Sequence, residues 1–199
     1  MSVINLVKDT DVNDPRVSAV FNAVRREYGF VPNIIRVVAN CPELLEVFVP
    51  FWARVYESPR IGGRLRAIAA LGTAHSRDCK YCIAHMSESA RRAGLDDDEL
   101  AAIARRDGDA ILSKSEQAVL NFATALSCGN GVSSEAATVL SGTFNSAEVV
   151  NITLAVGLYN LTSLFLQSLD IEVDEVLSGG VHNARQLDTR ITPADWEGS

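Results

Sequence analysis

Asp78-Cys79-Lys80-Tyr81-Cys82-Ile83-Ala84-His85 sets a CxxC pair, with a histidine three residues beyond it, inside a stretch that otherwise reads as helix. With a helix starting at or just before Cys79 and Asp78 as its N-cap, both thiols fall in the first turns. Unpaired backbone N–H groups and the positive end of the helix dipole favour a thiolate there, lowering a thiol pKa from its free value of roughly 8.5. Cys79 and Cys82 share one helical face, close enough to close a disulfide with modest local adjustment. His85 repeats the offset, so its imidazole can take a thiol proton or hydrogen-bond the thiolate. The face reads thiol, thiol, base, which is the pattern of a redox dithiol site.

Four other readings compete for these residues. Haem attachment needs a histidine directly after the second cysteine, where this chain has Ile83, so it drops out. Zinc has the right ligand types in His75, Cys79, Cys82 and His85. One continuous helix spreads them too widely to converge tetrahedrally, however, and there is no second CxxC or H-x3-5-H pair, so no metal is expected. A structural disulfide belongs to oxidising compartments, and the N-terminal residues show no apolar export signal. The plainest alternative is that both cysteines pack as small hydrophobes. His75 lies four residues before Cys79 and shares the thiols' face only if Ser76-Arg77-Asp78 does not break the helix; otherwise it is a helix-end histidine.

Outward from this stretch the chain reads as helices. Before it, Pro15 to Tyr28 carries Val17, Val20, Phe21 and Val24 at helical spacing, with Asp14 as cap and Gly29 as stop. A short helix over 33–40 and a longer one from Cys41-Pro42 to near Ser58-Pro59 follow. After the Ile61-Gly62-Gly63 loop, Leu65, Ile68, Ala69, Leu71 and Gly72 make a small-residue helix that allows close packing. Beyond the dithiol, Gly94 stops the helix, Asp96–Glu99 start another, and Ser113-Lys114-Ser115-Glu116 has the form of a capping box. Cys128 beside Gly129 is an uncommitted thiol, Cys41 a structural one, and Ser133 or Ser134 caps the next helix. Residues 149–169 carry no charge, long enough to raise a membrane span. Asn151, Asn160 and Gln167 argue against that, and the helix is read as buried in the protein, within a subunit interface or the core. From about residue 180 the tail turns polar, with His182 solvated and Trp196 a docking or loosely tethered group.

The 199 residues, 47% of them hydrophobic, suit a single domain over 1–199. A net charge of -7 and a pI near 5.0, with no basic cluster, argue against nucleic acid or an anionic membrane as partner. A cytoplasmic, reducing location is expected. No strand-like alternation, phosphate loop, GxSxG elbow or repeat appears, so the expected fold class is all-α.

The order of these elements resembles the alkylhydroperoxidase D (AhpD)-like, carboxymuconolactone decarboxylase family, in particular its peroxidase-related branch. The likeness runs over roughly residues 30 to 175 and rests on Cys41-Pro42-Glu43-Leu44-Leu45, Arg64-Leu65-Arg66, Cys79-Lys80-Tyr81-Cys82, Ser115-Glu116-Gln117-Ala118 and Tyr159-Asn160. The resemblance implies an AhpD-like helical bundle that assembles into dimers, trimers or hexamers. It also implies a CxxC that cycles between dithiol and disulfide while reducing hydroperoxides, without flavin, haem or metal cofactor. On that carry-over Cys82 is the more buried, peroxide-attacking thiolate and Cys79 resolves it, with an external dithiol such as a lipoyl-bearing protein as reductant. Where the family has a glutamate twelve residues before the first cysteine, this chain has Ala67. The usual histidine four residues after the second cysteine is Met86, and His85 matches branches with histidine at the third position. His85, with His75 in place of the missing carboxylate, is the expected base. The alternatives are a redox sensor that oxidises once, a helical binding oligomer, and a lactone decarboxylase, whose members work without a CxxC.

Overall fold

The computed structural model describes residues 2–108, 111–129 and 134–178. The polar tail with His182 and Trp196, and Ser133 as a candidate cap, lie outside the described residues. Among the described residues the all-α expectation holds: ten α-helices and one short 3-10 turn, with no strand. The chain groups into two compact units, one running to Arg54 and resuming at Leu169, the other spanning Val55–Ser168.

The first unit holds α1 (Pro15–Tyr28), α2 (Asn33–Val38), α3 (Pro42–Tyr56) as far as Arg54, and the short α10 (Glu175–Ser178). Asp14 caps α1 by accepting the Arg16 N–H, Pro15 takes the first position, and Gly29 ends the helix at φ 76°, a backbone state that favours glycine. The stripe read from the sequence is the buried face: Val17, Val20, Phe21 and Val24 pack with Ile35, Leu45 and their neighbours. Asp174 is buried and accepts the Asn33 N–H at 2.9 Å, tying the returning chain to the start of α2.

In the second unit α4 (Gly63–Ser76) is the central helix and packs against α5 (Lys80–Arg92), α6 (Asp97–Arg105), α7 (Lys114–Ser127) and α9 (Ser146–Ser168). Ala67 through Ala74 are all buried, so no side of that stretch faces solvent. Small residues make this possible: a Cβ at Gly72 would stand 2.9 Å from Leu120 Cδ1 and 3.3 Å from Ala123 Cβ on α7. Ile68, Leu71, Ile103, Leu120, Ile152 and Val156 fill the core between these helices.

Arg64, in the first turn of α4, locks the arrangement by reaching both capping boxes of this unit. Asp96 and Glu99 form the box of α6, Ser113 and Glu116 that of α7. The Arg64 guanidinium pairs with Glu99 and, at 2.9 Å, with Glu116. Residues that cap helices locally thereby fix how three helices meet.

α9 departs from the sequence reading in one respect. It is long and apolar enough to cross a membrane by length and composition, yet half of its apolar window is buried within the protein. It is not buried all round: Ile152, Ala155, Val156, Tyr159 and Leu166 face inward, while Val150, Leu154, Leu161 and Leu164 are exposed. The absence of charge fits a helix with a core face and a second, open apolar face, rather than complete burial.

Candidate dithiol site

The cysteines sit where α4 ends and α5 begins. Asp78 adopts a left-handed conformation, φ 51°. The Cys79 N–H reaches the Ala74 carbonyl at 3.0 Å and the Asp78 N–H reaches that of His75 at 3.3 Å. This is a Schellman termination of α4, with Asp78 in the position usually given to glycine. Asp78 therefore does not cap α5, because a cap residue needs extended backbone and Asp78 is bent the other way. The cap is Cys79, at φ -86° and ψ 94°, whose sulfur accepts the Cys82 N–H at 3.3 Å. The break also answers the question of His75: α4 stops at Ser76, so the face that His75 and the thiols were to share in one continuous helix is lost.

Both thiols are free and buried, Cys79 1% and Cys82 3% exposed. Burial alone would suit cysteines packed as hydrophobes, but the sulfurs have polar partners. They stand 2.7 Å apart, near enough to share one proton, and the Ser163 hydroxyl lies 3.4 Å from Cys82 Sγ. The hydrogen bond with the Cys82 thiol, opposed by burial and helped by the Cys82 N–H, the Ser163 hydroxyl and the Tyr81 N–H, brings the Cys79 pKa down to about 7. That same bond, together with burial and the neighbouring charge, pushes the Cys82 pKa up. These contacts favour the charge on Cys79, whereas the family resemblance implies a Cys82 thiolate. A side chain at the N-cap meets the amide donors of the first turn directly, whereas one at the third helical position points away from them.

α9 holds the turn in place from the other side. Asn160 Oδ1 accepts from Arg77 Nε at 2.8 Å, while its amide nitrogen donates to Ser127 Oγ. Gln167 donates to the carbonyls of Arg77, at 2.7 Å, and Asp78, at 3.2 Å. Asn160, Ser163 and Gln167 follow the i, i+3, i+7 spacing of one helical face, so the second half of α9 presents a polar face to the dithiol turn. The sequence reading uses Asn160 and Gln167 as arguments against a membrane span, and Asn160 also as part of the family resemblance, and does not find Ser163. Their common spacing was the available signal.

His85 is half-buried and stacks on the Tyr81 ring, centroids 4.4 Å apart. His75, at the end of α4, has its pKa pushed down by burial and then by the Arg106 charge, against the pull of Asp78. No hydrogen bond joins the His75 ring to either thiol among the described residues, where Cys79 and Cys82 instead meet each other and Ser163. Among those residues no group of three or more His, Cys, Asp or Glu side chains could hold a metal ion. Ala67, in place of the glutamate, is completely buried in α4. Cys41 and Cys128 are exposed.

This geometry can be set beside known proteins. Residues 42–125 match the carboxymuconolactone decarboxylase family. The match takes in α3 to α7 and the dithiol turn, and it bears out the resemblance read from the sequence. Solved structures extend the likeness to most of the chain. The apo debrominase Bmp8 superimposes with a TM-score of 0.76 at 19% identity, over 88% of this chain and 94% of that one. An uncharacterised peroxidase-related protein from Silicibacter sp. TM1040 gives 0.74 at 19% identity, over 87% and 94%. The alkylhydroperoxidase AhpD core of a peroxidase-related protein from Ralstonia eutropha JMP134 gives 0.75 at 16% identity, over 87% and 93%. At these identities the likeness establishes the fold, which is AhpD-like. No curated protein matches the chain.

Proposed function

We propose that the chain is a dithiol oxidoreductase that reduces hydroperoxides with the Cys79–Cys82 pair and is recharged by an external dithiol. The observation that carries this reading is the placement of Cys79 Sγ as the N-cap of α5, where the Cys82 amide and thiol both stabilise its negative charge. The Cys79 thiolate attacks the terminal peroxide oxygen, the O–O bond breaks, and the alkoxide leaves with a proton as alcohol. Cys79 is then a sulfenic acid. Cys82 attacks its sulfur, the S–O bond breaks, and water departs as the disulfide forms. A dithiol reductant, such as a lipoyl-bearing protein, restores both thiols by exchange. This assigns attack to Cys79 and resolution to Cys82, the reverse of the family carry-over, and leaves His85 as the candidate base on the same helix.

The test is peroxide consumption by reduced protein supplied with dihydrolipoamide. Many turnovers in the wild type, lost in Cys79→Ser and in Cys82→Ser, support the enzyme. A single equivalent consumed in the presence of excess reductant points to a redox sensor. A second substrate is worth the same assay because the debrominase Bmp8, as a cysteine-to-alanine variant, has been solved in complex with 2,3,4-tribromopyrrole. Bromide release from that compound, without peroxide consumption, would move the reading to dehalogenation by the same dithiol. The open face of α9 supports self-association as part of the proposal, and Leu161→Glu should lower the subunit number seen by light scattering.

A further inference from the structure

Ser163 is fully buried on α9 and, with the Thr162 side chain also acting on Cys82, its hydroxyl lies beside the sulfurs. Its behaviour differs from that of comparable hydroxyls in this protein. Thr73, Ser127, Thr153 and Ser168 each return theirs to the carbonyl four residues earlier, as helical Ser and Thr commonly do. Thr162, next in sequence and also near Cys82, donates to the Tyr159 carbonyl. The Ser163 hydroxyl instead lies 3.4 Å from Cys82 Sγ, where either atom can donate.

A dithiol cycle has a difficulty at this sulfur. On the polarity of the proposed function, Cys82 keeps its proton in the reduced protein and shares it with the Cys79 thiolate 2.7 Å away. Closing the disulfide requires Cys82 to give that proton up and carry the charge itself. By then Cys79 is oxidised, and its negative charge no longer receives the Cys82 proton. A buried thiolate without a hydrogen-bond donor is costly.

We infer that Ser163 donates its hydroxyl hydrogen bond to the Cys82 thiolate as the disulfide closes, and so sets the rate of the resolving step. The inference rests on the dithiol reading above but not on peroxide as the substrate. In general form, Cys79–S–X and Cys82–SH give the disulfide and HX: the S–S bond forms, the S–X bond breaks, and the Cys82 proton leaves with X or to solvent. Ser163 keeps its own proton throughout. With a hydroperoxide as oxidant, X is hydroxyl and HX is water.

The step can be isolated with dithiobis(nitrobenzoate), an aryl disulfide that reacts with thiols without peroxide. In protein whose exposed Cys41 and Cys128 are replaced by serine, the first equivalent of nitrothiobenzoate reports attack by Cys79, and the second reports closure by Cys82. Ser163→Ala should leave the first release within about twofold of wild type and slow the second about tenfold, as expected for loss of a hydrogen bond to a charged group. Ser163→Thr, which keeps a hydroxyl, should restore the second release, and Thr73→Val, which removes a buried hydroxyl elsewhere, should change neither. An unchanged second release in Ser163→Ala overturns the inference. So does equal slowing of both releases, which would mean that the serine only holds the turn. A wild type that shows both releases yet ignores peroxide would overturn the peroxidase reading alone.

Discussion

Two helix starts in the second unit use the same spacing for different ends. At α7, Ser113 accepts the Glu116 N–H with its hydroxyl, and the Glu116 carboxylate reaches back to the Ser113 N–H. At α5, Cys79 accepts the Cys82 N–H with its sulfur, and the Cys82 side chain reaches back to the Cys79 sulfur. In each case the cap residue and the residue three positions later close on one another. The oxygen version closes through a carboxylate that is further neutralised by Arg64, and so it is purely structural. The sulfur version closes through two thiols 2.7 Å apart, and on the proposed function it stores a nucleophile. A capping motif becomes a reactive one when its atoms can exchange a proton and form a bond.

Exchanging the cap atom should give the largest effect. Cys79→Ser keeps a good N-cap and should leave the melting temperature nearly unchanged, while dithiol turnover falls by more than about a hundredfold through loss of the nucleophile. A large fall in melting temperature with activity retained would mean that the sulfur is only structural. Next comes the charge on Cys79. With the exposed Cys41 and Cys128 replaced by serine, its alkylation rate with iodoacetamide should rise with pH around a midpoint of about 7, because the deprotonated form is the one that reacts. In Cys82→Ser that midpoint should move up, since a hydroxyl is a weaker acid and shares its proton less readily. An unmoved midpoint would assign the low pKa to the helix N-terminus alone.

The oxygen version is tested by stability. Arg64→Ala should cost about 2 kcal/mol in denaturant unfolding, because it leaves two partly buried carboxylates without their cation. The acid limb should change with it. Arg64 and the Asp96 N–H hold the Glu99 carboxyl below its ordinary pKa, and Ser113 and Arg64 do so for Glu116 although burial pushes that one up. Groups with lowered folded-state pKa values stabilise the protein fully above the ordinary value of 4.5, and this contribution is lost as the pH falls through the lowered values. The wild type should therefore lose stability below about pH 4.5 more steeply than Arg64→Ala. Smallest of all, Ser113→Ala should cost about 1 kcal/mol with dithiol chemistry unaffected, since α7 keeps its packing against α4. A comparable loss of thiol reactivity in that variant would show the two helix starts to be coupled.

What the sequence by itself determined is local. The apolar stripe of α1, the caps at Asp14, Asp96 and Ser113, the stop at Gly29 and the CxxC at the head of a helix all follow from groups a few residues apart, and spacing records such contacts directly. Tertiary structure decided the rest. Asp78 was read as a cap because aspartate suits that role, but the tight passage from α4 into α5 puts it in a left-handed bend and moves the cap to Cys79. The proposed charge on Cys79 depends on that one-residue difference, because the side chain at the cap accepts the Cys82 N–H and meets the Cys82 thiol. Ser163, Asn160 and Gln167 join the site through the packing of α9 against α4 and α5, across a long stretch of chain. The open apolar side of α9 likewise could not be told from its core side until its neighbours were in place, because absence of charge records the low polarity of a helix and not which way it faces.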